Sequence, residues 1–298
     1  MDNVFVLNKL RWYARWPIKT AIFLLVLLVV LFPYPNRLIR HVERLRNPAA
    51  LVDPEAPEVR PMTEDLRPQL DRAQSPADAL KVVERYVYAK VPYAWDWETW
   101  GTADYLPTVS EVVAMGREDC DGRAVLAASL LQHLGYRAEL VTDFGHVWVK
   151  TDKGETMGPR ERKAVVATEE GLKFQPGALS QMVRSTGYGI AVFPLVRELV
   201  VLLVFWFLML RSRGGGASMW VSLALLIDAL LFIRIGARSP RNPIPWVQWI
   251  GVANFAIAMV LLIFWARRNA RLAGAVRDRS SGVGSNAASD SQNKAAGR

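Results

Sequence analysis

The chain of 298 residues holds a single cysteine and three histidines. The cysteine lies in GREDCDGRA, residues 116–124, with Glu118, Asp119 and Asp121 packed around Cys120 in sequence. A lone cysteine makes no internal disulfide, and no cluster of Cys and His ligands marks a zinc site, so neither metal nor cofactor is expected. Among Ala and Leu neighbours a cysteine is most often a small core residue. Two features argue for a nucleophile instead. Cys120 begins a helical pattern, and the unpaired N–H groups of a helix start favour a thiolate and can hold a developing oxyanion. His146 then opens the strand-like run HVWVKT, where an imidazole can take the thiol proton. The other histidines are poor partners. His41 follows the first apolar run and is expected in solvent or at a lipid surface, and His133 lies about 19 Å along the same helix at ~1.5 Å per residue. The three carboxylates oppose ionisation of the thiol. They are expected to point into water, where screening weakens them, or to pair with Arg117 or Arg123.

The elements that must position these groups follow from spacing. Ser75, Pro76 and Asp78 form a helix start, and Leu80, Val83, Val87 and Val91 recur at helical spacing through about Lys90. Thr108 or Ser110 caps a short helix that runs through Met115 and ends at Gly116. Cys120 to Leu134 reads as a helix closed by Gly135, with Cys120, Ala124, Ala127, Leu131 and Leu134 on one stripe. Nearly every residue from Ala124 to Leu131 is small or apolar, which suits a helix enclosed on several sides. YRAELVTDF and HVWVKT read as strands, the second entering a tight turn at Asp152, Lys153 and Gly154. Between the first two helices, VPYAWDWETWGTADYLP has the Pro and Gly of irregular backbone, and its rings, Trp97 and Trp100 among them, either pack as core or wall a cleft. Helices followed by a sheet make an α+β plan.

The run GREDCDGRAVLAASLLQHLGYRAELVTDFGHVWV resembles the core of the transglutaminase-like superfamily. Upstream, VPYAWD, a Trp-Gly pair and PTVSEVV add to the likeness, which spans roughly residues 80–159. The resemblance implies a papain-like α+β fold with Cys120 as nucleophile and His146 as base. In that family a third residue, usually Asp before Pro on the neighbouring strand, orients the histidine. Here the hairpin returns as ETMGP, with Gly158 where the aspartate is expected, and Asp152, Glu155 and Glu161 are the substitutes at hand. The implied function is a membrane-anchored cysteine enzyme acting on peptide or protein amide bonds by hydrolysis or acyl transfer. The alternative is a catalytically degenerate domain that binds a peptide or a cell-wall component.

The membrane anchor is read from apolar blocks. Ala21 to Phe32 is uninterrupted, and its neighbours extend it toward the roughly 20 residues that cross a bilayer. No small-residue cleavage site follows, so an uncleaved anchor is expected. The blocks divide the chain into a cytoplasmic amino terminus (1–16), a first span (17–34), a connector (35–74), the transglutaminase-like domain (75–188), three further spans (189–211, 217–235 and 245–266) and a disordered tail (270–298). Basic residues concentrate beside the first span, after the second and in the tail, which puts both termini in the cytoplasm and the domain outside it. That distribution also absorbs the net charge of +9, so anionic lipid is the expected partner beside a peptide or protein substrate, and nucleic acid is not. Asp228 and Arg197 fall within the spans; a pair from Asp228 to Arg197 or Arg234 would hold the helices together, while a transport path is the competing use.

Overall fold

The computed structural model describes residues 10–142, 146–158, 165–168, 171–174, 178–210, 217–239 and 243–264. The expected substitute Glu161 and the tail 270–298 lie outside the described residues. The chain divides into two compact units, Leu28–Gly189 and Met1–Leu27 with Ile190–Arg298. A first helix, α1 (Trp12–Leu31), carries the amino-terminal apolar run.

In the unit Leu28–Gly189, the segment expected to be a connector is part of the domain. It forms α2 (Pro35–Arg46), a 3-10 turn (Pro48–Leu51) and α3 (Val59–Leu70). Leu51, Ala56, Val59 and Leu66 enter the main apolar core beside Val83, Val112, Leu126 and Val149 from later elements. The next helix, α4 (Pro76–Lys90), starts as its sequence dictates: the Ser75 hydroxyl oxygen accepts from the Asp78 N–H at 3.2 Å, and Leu80, Val83 and Val87 face the core. A single turn, α5 (Asp96–Thr99), interrupts the aromatic stretch, and α6 (Val109–Met115) follows. Thr108 caps α6 reciprocally with Glu111, and Gly116 ends it at φ 66°, a left-handed conformation that costs glycine nothing.

Helix α7 (Cys120–His133) is the centre of the domain. All residues from Ala124 to Leu131 are buried, and the helix packs against α3, α4, α6 and the first two strands. Those strands, β1 (Ala138–Thr142) and β2 (Val147–Thr151), pair antiparallel with Leu140 opposite Val149, and β3 (Gly154–Thr156) returns beside β2 after the turn at Asp152 and Lys153. The sheet order is β1-β2-β3, and a separate hairpin follows from β4 (Val165–Thr168) and β5 (Gly171–Phe174). The α+β plan expected from the sequence is present, with more helix ahead of α7 than the pattern indicated. Helix α8 (Ala178–Val192) contains the unit's last residue, Gly189.

The other unit is helical. Helices α9 (Leu195–Met209), α10 (Ala217–Ala237) and α11 (Pro245–Phe264) follow α8. Among the described residues three helices, Tyr13–Leu31, Met219–Ala237 and Pro245–Phe264, are long and apolar enough to cross a membrane, or four spans if the bent pair Ser185–Val192 and Leu195–Met209 counts as one. They expose Leu24, Leu25, Val221, Trp246, Trp249 and Phe264, the surface that lipid rather than water would cover. The expected span 189–211 is not a single straight helix. Ser185–Val192 and α9 are bent by 106° at the break, where Pro194 caps α9 and offers no N–H to continue the preceding turn. Where α10 meets α11, a Cβ at Gly251 would stand 2.7 Å from the Ala229 carbonyl, so glycine is what permits this approach. The charges pair differently from expectation. Asp228 accepts from the Asn254 amide at 2.9 Å, and Arg234 pairs with Glu198 while donating to the carbonyls of Ile190 and Phe193 at 2.8 Å each.

Within the domain, Glu111 is the link between α2 and the cap of α6. Its carboxylate accepts from Arg44 at 2.7 Å, from Tyr105 Oη at 3.0 Å and from the Thr108 N–H at 2.9 Å, while Arg44 also donates to the Leu106 carbonyl at 2.7 Å. Replacing Arg44 with Ala removes charge-assisted hydrogen bonds from a largely buried site. Thermal and denaturant unfolding of the full chain in detergent is expected to show a loss of about 1.5–3 kcal/mol in the domain transition.

Candidate functional site

The turn ahead of α7 is fixed by main-chain bonds. The Glu118 N–H donates to the Pro92 carbonyl at 3.1 Å, and the Ala94 N–H donates to the Glu118 carbonyl at 3.2 Å, a parallel bridge centred on Tyr93 and Glu118. Arg123 Nε donates to the Val91 carbonyl at 2.8 Å and its guanidinium lies over the rings of Tyr88 and Tyr93. Asp119 is the N-cap: Oδ1 accepts from the Asp121 N–H at 3.2 Å. Asp121 in turn accepts from the Gly122 N–H at 2.7 Å. These contacts set Cys120 in the first turn of α7, as the sequence predicts.

Cys120 begins the helix that packs against β2, the strand that starts at Val147. His146 is the residue before that strand. Its Nε2 lies 2.7 Å from the main-chain carbonyl of Met157, and its ring stacks with Trp148 at 6.3 Å and 12°. Met157 is the one described non-glycine residue at positive φ, 59°, and it is buried. Neither Asp152 nor Glu155 is the partner of Nε2. Asp152 is exposed in the β2–β3 turn, where Lys153 at 3.2 Å holds its carboxyl below the usual range, and Glu155 is exposed on β3 opposite Lys150. His133 is exposed with Nδ1 2.9 Å from the Pro54 carbonyl, away from the sulfur. His41, expected in solvent or at a lipid surface, is instead buried beside Phe32 and 3.7 Å from Asp104, and burial lowers its pKa.

Two of the three carboxylates around Cys120 are turned away from water, and Asp119 is half-buried. Glu118 and Asp121 are buried, and one oxygen from each of Asp96, Glu118, Asp119 and Asp121 lies within 4.8 Å of the others. The expected pairing with Arg117 or Arg123 does not form, because Arg117 donates to the Glu98 carbonyl at 2.9 Å and Arg123 is held at Val91. Glu118 is met by Trp100, whose indole Nε1 donates to both carboxyl oxygens at 2.9 and 3.1 Å. Trp100 is therefore a core residue with its donor committed, whereas Trp97 stacks on Trp95 at 4.8 Å in the aromatic stretch. Asp96 accepts from the Tyr105 N–H at 2.6 Å through one oxygen, and its other oxygen is buried without a hydrogen-bond donor.

Carboxyls packed this closely in a dry site hold protons. Burial, then Asp119 and Glu118, push Asp96 up to about 11; burial, then Asp119, push Glu118 up to about 7; Asp121 is raised by the same causes. An all-oxygen set of this kind is also the donor type that hard divalent cations take. Cys120 shares the environment. Although the residue retains some solvent exposure, burial and then Asp119 push its thiol up to about 12, against the Val147 N–H, which acts in the opposite direction.

Among known proteins, no family model, no curated protein and no solved structure matches the chain.

Several of these residues escape a reading of the sequence. Asp96 and Glu118 sit among Trp, Gly and Pro with no periodicity to mark them as buried. Gly122 carries a steric signal visible only in three dimensions: a Cβ there would overlap Glu118 Cγ and stand 2.8 Å from Pro107 Cγ. The Met157 contact uses a main-chain atom that every residue possesses.

Two outcomes follow from the buried carboxyls. Gly122→Ala forces Glu118 or Pro107 to move and is expected to destabilise the domain by about 1–3 kcal/mol in thermal unfolding. For Glu118, the folded carboxyl keeps its proton up to about 7 while an unfolded glutamate releases it near its ordinary 4.5. Its contribution is complete below that lower value and is lost as pH rises toward 7. Glu118→Gln keeps an acceptor for Trp100 but cannot ionise, so its stability curve is expected to be flatter than the wild type's between about pH 4.5 and 7.

Proposed function

We propose that the chain is a membrane-anchored, transglutaminase-like cysteine enzyme acting on peptide or protein amide bonds, with a papain-like domain held outside the cytoplasm. The observation that carries this reading is the packing of α7, which Cys120 begins, against β2, the strand that His146 precedes. The bias of basic residues toward the termini supports the external side for the domain.

The chemistry assigned to these groups is acyl transfer through a thioester. Sγ of Cys120 bonds to the amide carbonyl carbon as its proton passes to His146, and the carbonyl oxygen becomes an oxyanion within reach of N–H groups at the start of α7. The oxyanion then collapses, the C–N bond breaks, and His146 returns the proton to the departing amine. Water or a primary amine attacks the thioester, giving up a proton to His146; the S–C bond breaks and the sulfur recovers its proton. Trp100 is not assigned as an oxyanion donor, because its indole N–H is bonded to Glu118.

A second reading has its own support. A thiol pushed up to about 12 and a glycine at position 158 both favour a degenerate domain that binds a peptide or cell-wall component in the same cleft without chemistry.

Alkylation of Cys120 by iodoacetamide in the folded full chain separates the two. For the enzyme, labelling proceeds without denaturant, rises with pH through the neutral range because the thiol is raised, and slows roughly 10²-fold in His146→Ala. Labelling only after unfolding, with no effect of His146→Ala, selects the binding module. Cys120→Ser is expected to abolish release or exchange of a peptide amide in the first case and to leave peptide binding intact in the second.

A further inference from the structure

We propose that the main-chain carbonyl of Met157 is the positioning group for His146, in the role that a side-chain carboxylate holds in the family the sequence resembles. The inference rests on the reading of Cys120 and His146 as nucleophile and base, and concerns how the imidazole is held.

The geometry fixes which nitrogen does what. A carbonyl oxygen only accepts, so at 2.7 Å from Met157 the Nε2 atom of His146 must carry a hydrogen in both the neutral and the charged ring. The neutral ring then has its lone pair on Nδ1. The thiol proton is therefore received at Nδ1, and Nε2–H stays on the Met157 carbonyl through the cycle. Stacking against the buried Trp148 limits ring rotation, so the hydrogen bond and the stack together define one orientation.

The carbonyl reaches this place through a backbone conformation that is itself disfavoured. Chain pairing in β3 ends at Thr156 opposite Val149, and the next residue adopts φ 59°. A bulky non-glycine residue in the left-handed region is disfavoured and persists only where its surroundings impose it. Here the Met157 N–H lies 3.4 Å from Glu84 Oε2, the same oxygen accepts from Thr156 Oγ1 at 2.9 Å, and the Met157 side chain is buried in the core. The main chain leading into the carbonyl is thus pinned by Glu84 and by the buried methionine side chain. Nothing steric excludes a side chain at 158: a Cβ there would stand 3.8 Å from Trp148 Cδ1 and 4.0 Å from Glu155 Oε2, ordinary contacts. The glycine leaves the position of a carboxylate open, and the carbonyl one residue earlier takes up the imidazole.

A neutral carbonyl and an ionised carboxylate differ in one consequence. A carboxylate brings a full opposite charge to an imidazolium, whereas a carbonyl brings only a dipole, so the carbonyl orients the ring while supporting its charge less.

The test uses the full chain in detergent, labelled with ¹⁵N-histidine and read by long-range ¹H–¹⁵N correlation, with the three histidines assigned by single substitutions. His146 is expected as a single Nε2–H tautomer at neutral pH. An Nδ1–H tautomer, or a mixture of the two, overturns the proposal. Met157→Val puts a β-branched residue where φ must be positive, turning the carbonyl away; loss of the single tautomer and a tenfold or greater slowing of His146-dependent alkylation are expected. If Met157→Val folds and retains both, the carbonyl is not the positioning group. His146→Ala keeps the two ideas apart. A wrong tautomer with alkylation still dependent on His146 refutes the positioning and leaves the enzyme reading. An Nε2–H tautomer with alkylation indifferent to His146 refutes the enzyme reading, and the catalytic role of the carbonyl with it.

Discussion

Glu118 is fully buried beneath the first turn of α7, and its accommodation constrains everything near Cys120. A buried carboxyl needs donors for its oxygens and room for its chain, or it must give up its charge. The donor comes from Trp100, the room from the missing Cβ of Gly122, and the main chain of Glu118 is clamped to residues 92–94. The aromatic stretch, the loop after α4 and the start of α7 therefore meet at one side chain. Because Cys120 follows two residues later, the sulfur's place at the head of the central helix depends on that arrangement.

The same arrangement decides the electrostatics. A helix start favours negative charge through its free N–H groups, and here several acidic side chains compete for that benefit. Asp119 takes the cap, while burial makes full ionisation of Asp96, Glu118 and Asp121 unfavourable, so these carboxyls retain protons above their ordinary range. The thiol is left with desolvation of its own and with the Asp119 cap close by, both acting upward. A helix terminus alone is thus a poor guide to thiol reactivity. What matters is which group already occupies the terminal N–H groups and how dry the site is.

Local rules were readable where the signal is local. The Ser75 cap, the Thr108–Glu111 box, Gly116 at the end of α6 and the small apolar run of α7 each rest on residues a few positions apart. So does the β1–β2–β3 order, set by the turn at Asp152 and Lys153. The segment 35–74 looks like a linker by its Pro and charge content, while the residues it contributes to the core, Leu51, Val59 and Leu66, are spread over a 3-10 turn and a helix with no continuous period. In the helical unit, length and apolarity identify Met219–Ala237 and Pro245–Phe264, but charge pairing is a tertiary matter. Sequence offers Arg197 and Arg234 equally to Asp228, and the fold gives Asp228 to Asn254 and Arg234 to Glu198. Those pairings satisfy polar groups between packed helices, the use that asks least of them.

The site at His146 illustrates the limit from the other direction. Reading Gly158 as a missing triad member assumes that orientation requires a side chain, because only side chains vary in a sequence. The imidazole requires only an acceptor at the right distance and angle, and a main-chain carbonyl supplies one wherever the backbone can be turned to present it. At Met157 that turn falls in a region most residues avoid, held by Glu84 from α4 and by burial of the methionine in the core. The position of the acceptor is thus determined by packing across the domain and not by the identity of residue 158. A substitution at Glu84 or Met157 bears on His146 even though neither residue belongs to any recognisable catalytic pattern.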